Sequence, residues 1–314
     1  MAAFKNYLSL VKFSHTIFAM PFALIGFFLG IFKPVASYSW GGKGVTLPRY
    51  PSTFPSDRLE NIVVKFTLVI LCMVTARSAA MAFNRYLDAN FDAKNPRTAV
   101  REIPSGIISA DHALLFVLVN CIAFVFCTWF INKTCFFLSP VALFVILFYS
   151  YTKRFTVLCH MVLGVGLSLA PIGAYLAVTS RFDILPVLFS FAVLFWVSGF
   201  DIIYALQDVE FDVSQNLYSL PAALGKPNAL KVSELLHFLS AGLVIAAGFA
   251  GSFGILYWTG VVVFVGMLIY QHSIVKPNDL RRVNMAFMTA NGIASVVFAC
   301  FVLADIVLKK QGLL

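Results

Sequence analysis

Apolar stretches of bilayer-crossing length recur along the chain, each closed by a short polar segment. A helix needs about 20 apolar residues to cross the hydrocarbon layer. The runs are continuous and do not alternate as barrel strands do, so they predict helices. Nine spans follow, at about 15–32, 62–84, 110–131, 135–151, 156–179, 184–206, 231–250, 254–271 and 284–308. Ahead of the first, Phe4, Tyr7, Leu8 and Val11 alternate with Lys5, Asn6, Ser9 and Lys12 in a helical manner, which predicts a short interfacial helix. Ser109 is the expected N-cap of the third span, and Pro171 with Gly173 predicts a kink in the fifth. Three polar segments stand out between spans: an irregular loop at 33–61, a structured basic loop at 93–110 and a polar loop at 213–230. The fold class is all-α, a polytopic membrane protein in which residues 1–314 form one domain.

Composition strengthens this reading. Charged residues make up 12% of the chain, against about 25% in soluble domains. The net charge of +9 fits loop topology and contact with anionic lipid. No basic stripe with interleaved aromatics lies outside the spans, so nucleic acid is not an expected partner, and no obligate protein partner is evident. With a cytosolic N-terminus, 13 Lys and Arg fall in cytosolic segments and nine on the opposite side. That bias places the even-numbered exits in the cytosol. The six cysteines form no CxxC pair and the five histidines show no metal-binding spacing, so packing roles are expected for both.

Of the 14 acidic residues, six lie in two short stretches, at the ends of the second and sixth spans. Asn84, Asp88 and Asp92 are spaced by four and share one helical stripe, as do Asp201, Tyr204, Asp208 and Asp212. Both clusters follow even-numbered spans and therefore face one compartment, where they can form a shared site. Gathered carboxylates beside a membrane require a neutralising cation. A hard divalent ion such as Mg²⁺, held by Asn84, Asp88, Asp92, Asp208 and Asp212 and bridged to a diphosphate, suits these oxygen donors. Basic groups stand nearby. Arg77 is within the second span, seven residues before Asn84, and is expected to contact a diphosphate or a substrate carboxylate. Arg97 and Arg101 are expected to close over phosphate oxygens, and Lys153 with Arg154 to bind the same substrate.

These residues resemble the UbiA superfamily of intramembrane prenyltransferases. The resemblance rests on Asn84-x-x-x-Asp88-x-x-x-Asp92, on Asp201-x-x-Tyr204-x-x-x-Asp208 with Asp212 beyond it, on Arg77, on Arg101-x-x-Pro104-Ser105-Gly106 and on Lys153-Arg154. It covers essentially the whole chain. It implies nine transmembrane helices around a central cavity under cytosolic cap loops, with Mg²⁺ as cofactor. It further implies transfer of the prenyl group of a polyprenyl diphosphate to a hydroxylated aromatic acid of the 4-hydroxybenzoate type during quinone synthesis, in a bacterial inner membrane. Asp88, Asp92, Asp201, Asp208 and Tyr204 are then the catalytic set, with Asp201 or Tyr204 receiving the ring proton or orienting the acceptor. Asn84, Arg77, Arg97, Lys153 and Arg154 bind substrate. Two positions depart from the common pattern: Arg85 stands where many members have Asp, and Tyr218-Ser219 where many 4-hydroxybenzoate enzymes have Lys-Ser. A hydroxynaphthoate acceptor in menaquinone synthesis is the alternative. From another class, an ion-coupled transporter would need ionisable groups near mid-bilayer.

Overall fold

Bilayer-length apolar runs leave the backbone no partner but itself, and the chain is helical accordingly. The computed structural model describes residues 2–11, 18–32 and 56–310. The helices are α1 (Ala2–Leu10), α2 (Met20–Phe32), α3 (Ser56–Leu87), α4 (Ala89–Lys94), α5 (Ala110–Ile131) and α6 (Lys133–Thr152). They continue as α7 (Cys159–Thr179), α8 (Ile184–Ala205), α9 (Val209–Ser214), α10 (Leu220–Ala250), α11 (Ile255–Ile274) and α12 (Asn291–Lys310). Eight helical segments among the described residues are long and apolar enough to cross a membrane. The 13-residue apolar helix α2 occupies the place of the first expected span, whose residues 15–17 lie outside the described ones. The protein is a multi-pass membrane protein.

Two expected boundaries are corrected. The loop assigned to 33–61 lies outside the described residues up to position 55, and from Ser56 onward the chain is already α3. The loop assigned to 213–230 ends at Ser219, whose hydroxyl accepts from Ala222 N and caps α10. Pro221 sits in the first turn of α10, where the missing N–H is harmless. Gly225 adopts φ 76° and lets the helix step around Pro227. Ser109 caps α5 as its sequence position indicated.

Helix neighbours are joined by polar side chains and close backbone approach, as membrane interfaces favour. Ser233, His237 and Ser240 form one stripe on α10 that meets backbone carbonyls of α8 at Gly199, Trp196 and Ala192, over 2.7–3.2 Å. A Cβ on Gly199 would lie 2.4 Å from the His237 ring, so glycine is needed there. On the other flank of α8, Gly164 of α7 faces Ser198 with no space for a side chain. α8 is thereby clamped between α7 and α10, and its last turn is fixed in position. The core beside it is aromatic: Trp196 packs on Phe22 and Phe264, and its Nε1 donates to buried Asn291 Oδ1 at 2.9 Å.

At the far end of the bundle, buried Asp305 of α12 accepts from Gly254 N at 2.8 Å and Tyr257 N at 3.3 Å. A carboxylate from one helix thus caps the N-terminus of another, α11, where the helix dipole favours negative charge. Asp305→Ala is expected to destabilise the detergent-solubilised protein by roughly 0.5–2 kcal/mol, the usual worth of an N-cap. A thermal unfolding midpoint equal to that of the unmodified protein would show that the cap contributes nothing.

Candidate active site

The two acidic motifs lie at helix ends on the same face of the bundle, and each breaks at its middle aspartate. α3 stops at Leu87; Asp88 has φ −89° and ψ 4°, and α4 resumes with Asp92. α8 tightens into a 3₁₀ turn, Leu206–Asp208, where Asp208 has φ −103° and ψ 2° before α9 carries Asp212 onward. These are bridge-region conformations, sparsely populated elsewhere and frequent in active sites. The single stripe read from the four-residue spacing is therefore two helical pieces at each motif. Backbone hydrogen bonds from Asp88 N to Asn84 O and from Asp92 N to Asp88 O carry the first motif across its break.

Each aspartate has its own basic partner. Arg97 reaches from the loop after α4 across to the second motif. Its Nη2 donates to both oxygens of Asp208 at 2.7 Å, and its Nη1 donates to the Tyr204 hydroxyl at 3.1 Å. Asn95 Oδ1 accepts from Arg97 N and fixes the turn that aims it. Arg101 Nη1 donates to both oxygens of Asp92 at 2.7 Å. Arg154 donates to Asp88 Oδ1 at 3.0 Å and to the Leu87 carbonyl at 2.8 Å, with its guanidinium over the rings of Phe91 and Tyr151. Lys153 lies 2.6 Å from Asp212 Oδ1. His160 Nδ1 lies 2.7 Å from Asp201 Oδ2. Asn84 Nδ2 donates to the other oxygen of Asp88 at 3.0 Å.

Five carboxylates, Asp88, Asp92, Asp201, Asp208 and Asp212, thus each meet a basic side chain of the protein. The protein neutralises them itself, and among the described residues no three His, Cys, Asp or Glu side chains gather as a metal cage. The donor chemistry still fits a hard divalent ion, since Asn84, Asp88, Asp92 and Asp208 line one cavity and offer oxygen. Asp212 is placed differently. It is fully buried between Lys153 and Ser219, whose hydroxyl donates to its Oδ2 at 2.9 Å, and it does not line the cavity. Burial pushes the Asp88 carboxyl up to about 6, with Arg154 pulling it back. Burial also opposes the charge on Lys153, but Asp212 prevails and holds the ammonium above its ordinary value.

Two cavities meet here. A charged head cavity of about 290 Å³ lies among the acid–base pairs. An apolar cavity of about 410 Å³ continues from it between α3, α5, α6 and α7. Arg77, Met81, Tyr149, Leu163 and Leu167 line both, so Arg77 and Tyr149 mark the junction. All the expected site residues except Asp212 line the head cavity. Sequence spacing missed His160, which lies 41 positions from Asp201 and joins it only because α7 and α8 approach closely. It also missed the role of Ser219. The sequence shows it in the Tyr218-Ser219 pair, two positions before Pro221, where a capping residue belongs.

The UbiA prenyltransferase family model matches residues 52–293. A curated relative from Tolumonas auensis, 4-hydroxybenzoate octaprenyltransferase, is 30% identical over 245 residues, covering 78% of this chain and 84% of its own. Among solved structures, the apo form of a UbiA homolog from Aeropyrum pernix superposes with a TM-score of 0.74 at 26% identity, covering 94% of this chain and 98% of that one. A UbiA homolog from Archaeoglobus fulgidus, solved with DMAPP and Mg²⁺, shares the fold with a TM-score of 0.69 at 18% identity, over 96% and 99% of the two chains. With that match across most of its length, and with the helix-end motifs facing one cavity, the chain belongs to the UbiA prenyltransferase family.

Proposed function

We propose that the protein transfers a polyprenyl group from polyprenyl diphosphate to the ring of a hydroxylated aromatic acid of the 4-hydroxybenzoate type. The observation that carries this reading is the junction of a charged cavity with a long apolar one at Arg77 and Tyr149. Such a pair of compartments suits a ligand with an anionic head and a hydrocarbon tail. The relative from Tolumonas auensis, named for this activity, supports the acceptor class.

In this reading the diphosphate enters among Arg97, Arg101, Lys153 and Arg154. Guanidinium groups match phosphate oxygens in pairs of hydrogen bonds. As Arg97, Arg101 and Arg154 turn toward phosphate, their aspartate partners are freed, and Asn84, Asp88, Asp92 and Asp208 would hold Mg²⁺. That ion, bound together with DMAPP in the Archaeoglobus fulgidus homolog, would supply Lewis-acid neutralisation of the leaving group. Asp212 keeps Lys153 in place from below. The allylic C–O bond breaks with its electron pair on diphosphate, and a C–C bond forms from the prenyl carbon to a ring carbon beside the hydroxyl. The ring proton passes to Asp201, whose carboxylate is oriented by His160 and lies on the cavity wall. Tyr204, held by Arg97, orients the acceptor. Arg77, at the junction, faces the acceptor carboxylate or the diphosphate. The apolar walls exclude water from the carbocation. The charge bias of the loops favours a cytosolic mouth in a bacterial inner membrane.

Purified protein supplied with a polyprenyl diphosphate, Mg²⁺ and 4-hydroxybenzoate is expected to yield the C-prenylated acid, detected by mass spectrometry. A product formed only with a hydroxynaphthoate would move the reading to menaquinone synthesis. Asp88→Ala and Asp208→Ala are each expected to lower turnover by on the order of 100-fold or more while the protein still elutes as a folded species. Normal turnover in both would reject the site.

Tail length is set by the apolar cavity. Gly173 lines it, and a Cβ built there meets nothing within 4 Å. Gly173→Phe is expected to shift selectivity toward shorter prenyl diphosphates in competition assays, with the shortest donors nearly unaffected. An unchanged product-length profile would show that the tail runs elsewhere.

A further inference from the structure

The acid–base pairing leaves two cations of the head cavity over, Arg77 and Arg85, and Arg85 is the one that stands beside the first acidic motif. It sits in the last turn of α3, is only 3% exposed and lines the head cavity. Its Nε and Nη1 are buried without a hydrogen-bond partner, and it makes no ion pair among the described residues. Two carboxylates, Asp92 and Glu102, act on it at a distance without a hydrogen bond or ion pair to it. Asp92 gives both oxygens to Arg101, and Glu102 accepts from Ser9. Arg101 adds a like charge nearby. A buried guanidinium with idle donors is costly, and such a group persists where a ligand completes it.

Charge balance points to the ligand. Six Arg and Lys line the cavity, against four Asp on its wall and buried Asp212 beneath it. The excess positive charge is present before any metal binds. An aspartate carrying a divalent ion has net charge +1, and a guanidinium has that charge by itself. We propose that Arg85 is a metal-independent anchor for diphosphate, its idle N–H edge taking a phosphate oxygen. The inference rests on the prenyl diphosphate reading of the cavity and adds to it that the headgroup binds without Mg²⁺.

The test is calorimetric titration of inorganic diphosphate into the full-length protein in detergent, once in EDTA and once with Mg²⁺. The unmodified protein is expected to bind in both. Arg85→Met, close in volume and uncharged, is expected to weaken binding in EDTA by at least about tenfold, the worth of a charged hydrogen bond, and to raise the thermal midpoint of the ligand-free protein, because an unpaired buried charge is gone. Arg85→Lys is expected to keep most of the metal-free binding. Arg85→Asp is expected to bind only when Mg²⁺ is supplied. If Arg85→Met lowers the midpoint and binds diphosphate normally in EDTA, the arginine is structural and the proposal fails. A loss in Arg85→Lys equal to that in Arg85→Met also overturns it. Binding by the unmodified protein with Mg²⁺ but not in EDTA removes the anchor and leaves the proposed function standing. Binding in neither condition removes the diphosphate reading itself, and the anchor with it.

Discussion

The Arg97 guanidinium joins the two halves of the site. It leaves a loop that follows α3 and α4 and ends on Asp208 and Tyr204 at the close of α8. Nothing in the covalent chain brings these segments together; they are 107 and 111 positions apart from Arg97. The bridge ends on a helix held on both sides, α8 being clamped by Gly164 on one flank and by the Ser233–His237–Ser240 stripe on the other. Interhelical polar contacts deep in the bundle therefore set the precision of a site at its rim.

The pairing of aspartates with Arg, Lys and His also explains how a membrane-face site can be this rich in charge and remain folded. A buried carboxylate without a partner would take up a proton or destabilise the fold. Asp88, although paired, is still pushed up to about 6 by burial. Such a group gains more from an incoming cation than a well-solvated one does.

Much of the architecture was legible in the sequence because bilayer length and hydropathy are local signals. Helices α5 to α8 lie within a few residues of their expected limits, and Ser109 caps α5 where a capping residue was read. Residues 220–230 were not legible, because Gly225, Pro221 and Pro227 are breakers in most settings. Here the two prolines flank a glycine step near the helix start. At the site, the acidic motifs and their common face followed from spacing and exit parity. The partner of each acid did not. His160 on Asp201, Lys153 on Asp212 and Arg97 on Asp208 are tertiary contacts that no periodicity encodes. Asp212 looked like a ligand because it continued a four-residue series, but the 3₁₀ turn at Leu206–Asp208 rotates it off that face and into the protein.

The one-to-one matching of acids with bases has a consequence for how the sequence can change. Losing either member of the Lys153–Asp212 or Arg101–Asp92 couple strands the survivor as a bare charge in a poorly hydrated place. Drift at these positions is therefore constrained to move in tandem, each half waiting on a compensating replacement in the other. The mouth of the bundle should be inherited as linked couples, even where the surrounding lipid-facing residues wander freely.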